Sequence, residues 1–129
     1  MPGEPWERSP EAKINPVIIR ENNDLAFALE TASLIIAAGP AGKQVLSTAA
    51  WQMAPNLKVL IDLNAVPTAG IEGVVAMDAG QLKGNIACYG ALGVGNLKMK
   101  IHRAAIASLF TNNQLVLDSQ AIYDLSGAV

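Results

Sequence analysis

Apolar residues fall along this chain in short blocks, separated by polar or glycine-rich stretches. Pro16-Val17-Ile18-Ile19-Arg20 is a β-branched run entered through a proline, which a strand tolerates at its first position. Asn22, Asn23 and Asp24 then offer N-caps to a helix reaching Ala32, with Leu25, Ala28, Leu29 and Ala32 on one face. Ser33-Leu34-Ile35-Ile36-Ala37-Ala38 is apolar at consecutive positions, the pattern of a strand covered on both faces. After Gly39-Pro40-Ala41-Gly42, Val45, Leu46, Ala49 and Ala50 mark a helix to about Met53, stopped by Pro55. Leu57 to Leu63 is a third buried run, with the charge of Asp62 near its carboxyl end. A Pro/Gly-rich loop runs from Asn64 to about Gly84, and Asn85 to Tyr89 forms the next strand. Helical spacing returns from Asn96 to Phe110, and a last helix is capped by Asp118 or Ser119.

This alternation predicts an α/β domain: a three-layer αβα, partial Rossmann-like fold with a four-stranded, mainly parallel sheet built from 16–20, 33–38, 58–63 and 85–89. Residues 1–15, which carry three of the seven prolines, read as an irregular lead-in, and 16–129 as the domain. Right-handed crossovers gather the strand-end loops on one edge, and ligands of such sheets bind at the carboxyl ends of strands.

Composition narrows the function. The 129 residues suffice for one domain that buries about 65–70% of its unfolded surface. Apolar residues make up 51%, but no run approaches the roughly 20 residues of a membrane span, and no secretory signal is visible. A cytoplasmic location is therefore expected. A net charge of −2 offers no footprint for nucleic acid. One Cys and one His cannot assemble a zinc site, so no metal is expected.

Three loops leave strand ends. Gly39 to Gly42 could hold an anion at a helix N-terminus, or could be an ordinary strand-to-helix turn. Asp62 and Asn64 flank Leu63 and share a face; they could orient a ligand ring, or could cap loop amides and close an Asx-turn. Gly90-Ala91-Leu92-Gly93-Val94-Gly95 opens onto the long helix, and neither glycine segment is the G-x-G-x-x-G dinucleotide fingerprint. Lys98, Lys100, His102 and Arg103 read as a solvated helix face, and His102 has no carboxylate partner nearby in sequence to make it a base. Cys88 reads as a small core residue, and Trp51 and Met53 as packing.

Ile36-Ala37-Ala38-Gly39-Pro40-Ala41-Gly42, Asp62-Leu63-Asn64-Ala65-Val66-Pro67-Thr68-Ala69-Gly70-Ile71 and Gly90-Ala91-Leu92-Gly93-Val94-Gly95-Asn96-Leu97-Lys98 occur in that order, followed by Lys100-Ile101-His102-Arg103. Together they resemble the C-terminal, cofactor-binding half of the bacterial NAD(P)-dependent methylenetetrahydromethanopterin dehydrogenases. The resemblance covers about residues 30–126. It implies an oxidoreductase fold that passes hydride from a methylene-tetrahydropterin to a nicotinamide ring. It would place Ala38, Gly39, Pro40, Asp62, Asn64 and Ala65 at the cofactor, and Pro67, Gly90, Ala91 and Leu92 at the substrate side.

Nothing in the chain matches the family's first strand, its phosphate-binding loop or its N-terminal catalytic domain. The resemblance thus implies a truncated form without independent catalysis and with no catalytic residue of its own. Binding of NADP or NAD is expected to be weak or absent. Two alternatives stand beside it: a homodimeric binding module, and one half of a split dehydrogenase whose other half is a separate chain. The apolar run 33–38 normally pairs with a strand that is missing here. Two remedies are expected together: 16–20 moves in beside it, and the chain forms a homodimer.

Overall fold

The computed structural model describes residues 11–129. Its elements in chain order are α1 (Asn22–Glu30), β1 (Leu34–Ala37), α2 (Thr48–Gln52), β2 (Val59–Asp62), β3 (Ala79–Lys83), β4 (Ile86–Tyr89), α3 (Ala91–Leu109) and α4 (Ser119–Ser126). One four-stranded sheet runs in the order β1-β2-β4-β3. β1, β2 and β4 are parallel, and β3 is antiparallel to β4. The expected α/β class with a mainly parallel sheet and flanking helices is therefore what the chain adopts.

Membership of the sheet differs from expectation in two places. Residues 16–20 form no strand and join no sheet; Val17, Ile18 and Ile19 stand exposed. Strand propensity without a ladder partner does not make a strand. Only Glu21 separates Arg20 from α1, too little chain for the usual turn from a strand into its crossover helix. The fourth strand is instead Ala79–Lys83, inside the stretch expected to be loop. It reverses at Gly84 and Asn85 and pairs back on β4 in register Leu82↔Ala87 and Lys83↔Ile86. Of the proposed lead-in, residues 1–10 lie outside the described residues, and 11–15 contain no helix or strand.

The parallel registers Ile35↔Leu60↔Cys88 and Ala37↔Asp62 define one face of the sheet. There Leu60 and Cys88 are fully buried, packed with Leu29, Leu46, Trp51, Leu57 and Ile71 into the main core. Leu25 and Leu29 of α1 and Ala50 and Trp51 of α2 reach this cluster, so these helices cover that face. The Trp51 indole N–H donates to the Glu72 carbonyl at 2.9 Å, which fixes the ring while its body packs. The opposite face carries Leu34, Ile36, Val59, Ile61, Ala87 and Tyr89, none of them buried. α3 packs with α4, and Ala105 is the buried residue of α3. No helix among the described residues is long and apolar enough to cross a membrane.

Helix boundaries moved for physical reasons. α1 starts at Asn22, because Asp24 accepts the backbone amides of Arg20 and Glu21 at 2.9 and 3.1 Å and ties the entry turn. α2 starts only at Thr48, five residues later than the glycine loop suggested, since Leu46 is held in a bridge to Ile71. α3 starts at Ala91 rather than Asn96, taking most of the glycine segment into its first turns.

Candidate functional site

The carboxyl ends of β2 and β4 bear the polar and glycine residues that the alternation had marked. Asp62, 2% exposed, closes β2 and accepts the amides of Asn64 at 3.0 Å and Ile71 at 2.9 Å. Asn64 accepts the Val66 amide at 3.1 Å, an Asx-turn, and donates to the Thr68 carbonyl at 3.2 Å. Of the two readings open for this pair, the capping one describes its hydrogen bonds. The loop is also joined to the one after β1. The Gly70 carbonyl accepts from Val45 and Leu46 at 2.8 and 3.1 Å, and the Leu46 carbonyl accepts from Glu72 at 2.9 Å.

A second wall is the segment Val75 to Asp78, docked on the amino end of α3. Gly90 N–H donates to the Asp78 carbonyl at 2.8 Å, and Leu92 and Gly93 donate to the Ala76 carbonyl at 2.9 and 3.1 Å. A Cβ at Gly90 would overlap the Val75 carbonyl oxygen, and one at Gly93 the Asp78 carbonyl oxygen. These two glycines therefore admit a neighbouring backbone. The Asp78 carboxylate in turn holds the Val75 amide at 2.8 Å and pairs with Lys83 of β3 at 2.7 Å, while Lys83 also donates to the Gly73 carbonyl.

Between these walls lies a cavity of about 220 Å³. Asp62, Asn64, Ala65, Pro67, Gly90 and Ala91, all singled out from the sequence, line it. Ala38, Gly39, Pro40 and Leu92 do not: the first three are exposed just beyond β1, and Leu92 is half exposed on α3. Val66, Ala69, Val74, Val75 and Ala76 complete the lining and were not anticipated. Their signal in the sequence was indirect, because the Gly90 and Gly93 spacing reports a close backbone neighbour without saying which one.

Chemically the lining is mostly apolar, and its side-chain polar groups are already engaged by loop amides and carbonyls. The anion-site reading of Gly39–Gly42 does not hold, because no helix follows directly. The amino end of α2 is occupied by Ser47 and by the Glu72 carboxylate, which takes the Thr48 amide at 2.8 Å. The amino end of α3 is likewise occupied by the Ala76 carbonyl. Burial pushes the Cys88 thiol up from its ordinary range, the nearby Lys83 charge only partly opposing it, so Cys88 is packing rather than a nucleophile. Lys98, Lys100, His102 and Arg103 are exposed on α3, away from the cavity lining. Among the described residues no cluster of three or more His, Cys, Asp or Glu comes together.

Three adjacent parallel strands, with a ring-sized hollow at the carboxyl ends of β2 and β4, make up part of a Rossmann-like α/β sheet. Relatives give the particular kind. Over 101 residues, 78% of this chain, it is 42% identical to the bifunctional protein MdtA of Methylorubrum extorquens, covering 35% of that protein. Over 102 residues, 77% of the chain, it is 39% identical to the NAD(P)-dependent methylenetetrahydromethanopterin dehydrogenase of the same organism, covering 34% of it. The chain is thus a relative of the methylenetetrahydromethanopterin dehydrogenases, and it spans about a third of the length of the curated relatives it matches. No family model matches it.

Proposed function

We propose that this chain carries the ring-binding edge of an NAD(P)-dependent methylene-tetrahydropterin dehydrogenase and does not catalyse hydride transfer alone. The observation behind this reading is the cavity at the ends of β2 and β4. It collects Asp62, Asn64, Ala65, Pro67, Gly90 and Ala91 while both neighbouring helix amino ends are filled by the chain's own groups. At about 220 Å³ it falls below the roughly 300–1,000 Å³ of sites that enclose a whole cofactor. It has room for one flat group, such as a nicotinamide or a pterin ring. The pyrophosphate normally anchors a dinucleotide on free helix amides, but Thr48 and Ala50 of α2 and Leu92 and Gly93 of α3 already donate theirs to the chain's own groups. Asp62 and Asn64 act here by shaping the loop, and Ala65, Pro67 and Ala91 supply the surface a ring would lie against. Ala38, Gly39 and Pro40 border the cofactor only where further chain adjoins β1.

A thermal-shift titration of the full chain with NAD and NADP, each with and without a tetrahydropterin, tests the reading. Neither cofactor alone should stabilise the protein below millimolar concentration. Micromolar affinity for NAD or NADP by calorimetry, or turnover by the chain alone, would overturn it.

A further inference from the structure

We propose that the outer edge of β1 receives the segment Ile14–Arg20 of a second copy of this chain, in a reciprocal, two-fold exchange. The proposal is independent of any cofactor. β1 ends the sheet, and its outer edge pairs with nothing among the described residues. Leu34 and Ile36, on the uncovered face beside it, are 49% and 53% exposed, and Leu34–Ala37 contains no Lys or Pro of the kind that blunts a free edge. The complementary element is in the same chain. Ile14, Val17, Ile18 and Ile19 are 66%, 55%, 73% and 46% exposed, and 14–19 make no hydrogen bond to another described residue. A β-branched apolar segment with unpaired backbone is what an open edge takes up by strand addition.

The segment's own β1 is a poor target. One residue, Glu21, lies between Arg20 and α1, where a strand-to-helix turn commonly uses about 2–6 residues. A hinge that short favours exchange between copies over closure within one. The exposed Leu34 and Ile36 beside this edge add apolar surface that a second copy would cover. Two-fold exchange makes each copy both donor and acceptor, so the assembly closes at two.

Sedimentation of the full chain from low to high micromolar concentration, with hydrogen exchange on β1, is the test. Wild type should be a dimer whose β1 amides exchange at least tenfold more slowly than those of the Ile18→Pro variant. That variant should be monomeric with its helical circular-dichroism signal retained, because Ile18 is 73% exposed and lies outside every helix and strand of its own chain. Ile36→Lys, on the receiving side, should also shift the chain to monomer. A wild-type monomer at high micromolar concentration overturns the proposal and leaves the edge to a different chain. So does an Ile18→Pro variant that stays dimeric, or equal β1 exchange in the two proteins.

Discussion

Gly95 differs from Gly90 and Gly93 in what stands over it: a Cβ there meets nothing within 4 Å, whereas at the other two it meets the carbonyl oxygens of Val75 and Asp78. Inside a helix, Gly→Ala normally stabilises by roughly 0.5–1 kcal/mol. Gly95→Ala should therefore raise stability by about that amount. Gly90→Ala and Gly93→Ala should each lower it by on the order of 2 kcal/mol or more, since the docked backbone must move away. Urea unfolding of the three variants separates the effects, and equal signs at all three sites would refute the docking account. Asp62 is the other residue whose partners set an expectation. It is buried, and Ile71 and Asn64 donate to it. Asp62→Ala leaves the Ile71 amide without a partner in the core, at a cost of about 1–3 kcal/mol, with a smaller loss for the less buried Asn64. A loss under half a kcal/mol in equilibrium unfolding would mean that the 64–71 loop does not depend on this carboxylate.

Between elements, the β3–β4 hairpin is tied to the cavity wall through Asp78 and Lys83. Burial of Asp78 draws its carboxyl upward, but the Lys83 hydrogen bond and charge and the Val75 amide outweigh that and hold it below the ordinary carboxylate range. A carboxyl depressed by folding stabilises the native state above about pH 3.9, and that contribution fades as pH falls through the lower, folded value. Asp78→Asn should thus destabilise the protein at pH 7 and much less near the acid end. An identical penalty at both pH values, read by urea unfolding, would contradict the pairing. β3 itself could not be read from the chain, because Ala79-Gly80-Gln81-Leu82-Lys83 has a glycine and two polar residues and suits an edge only once β4 is beside it. β1, β2 and β4 were legible because Leu34-Ile35-Ile36, Val59-Leu60-Ile61 and Ile86-Ala87-Cys88 are consecutive apolar runs. The same rule misassigned 16–20, whose apolar run has no partner strand in the fold. In the site, the Asp62–Asn64 pair was visible from alternation. The Val74–Ala76 wall was not, since only tertiary docking on Gly90 and Gly93 brings it there.

At the scale of the whole molecule, the main core lies on one face of the sheet, and the opposite face carries Leu34, Ile36, Val59 and Ile61 without burying them. Residues 11–21, exposed throughout, add to the surface left open. An unfolded chain of 13.5 kDa exposes roughly 19,600 Å², so a compact fold of this size would bury about two thirds of it. With 9680 Å² still exposed, this chain buries only about half. The urea m-value and the heat capacity of unfolding both scale with the area exposed on unfolding. For the isolated monomer each should therefore fall below the value typical of a compact 129-residue domain. Unfolding followed by circular dichroism at low concentration gives the monomer value. If copies associate, raising the concentration should bring the m-value per chain up towards the compact norm and raise the midpoint, because only the folded state takes part in the equilibrium. A full-sized m-value at concentrations where sedimentation shows a monomer would mean that the uncovered face is closed within a single chain.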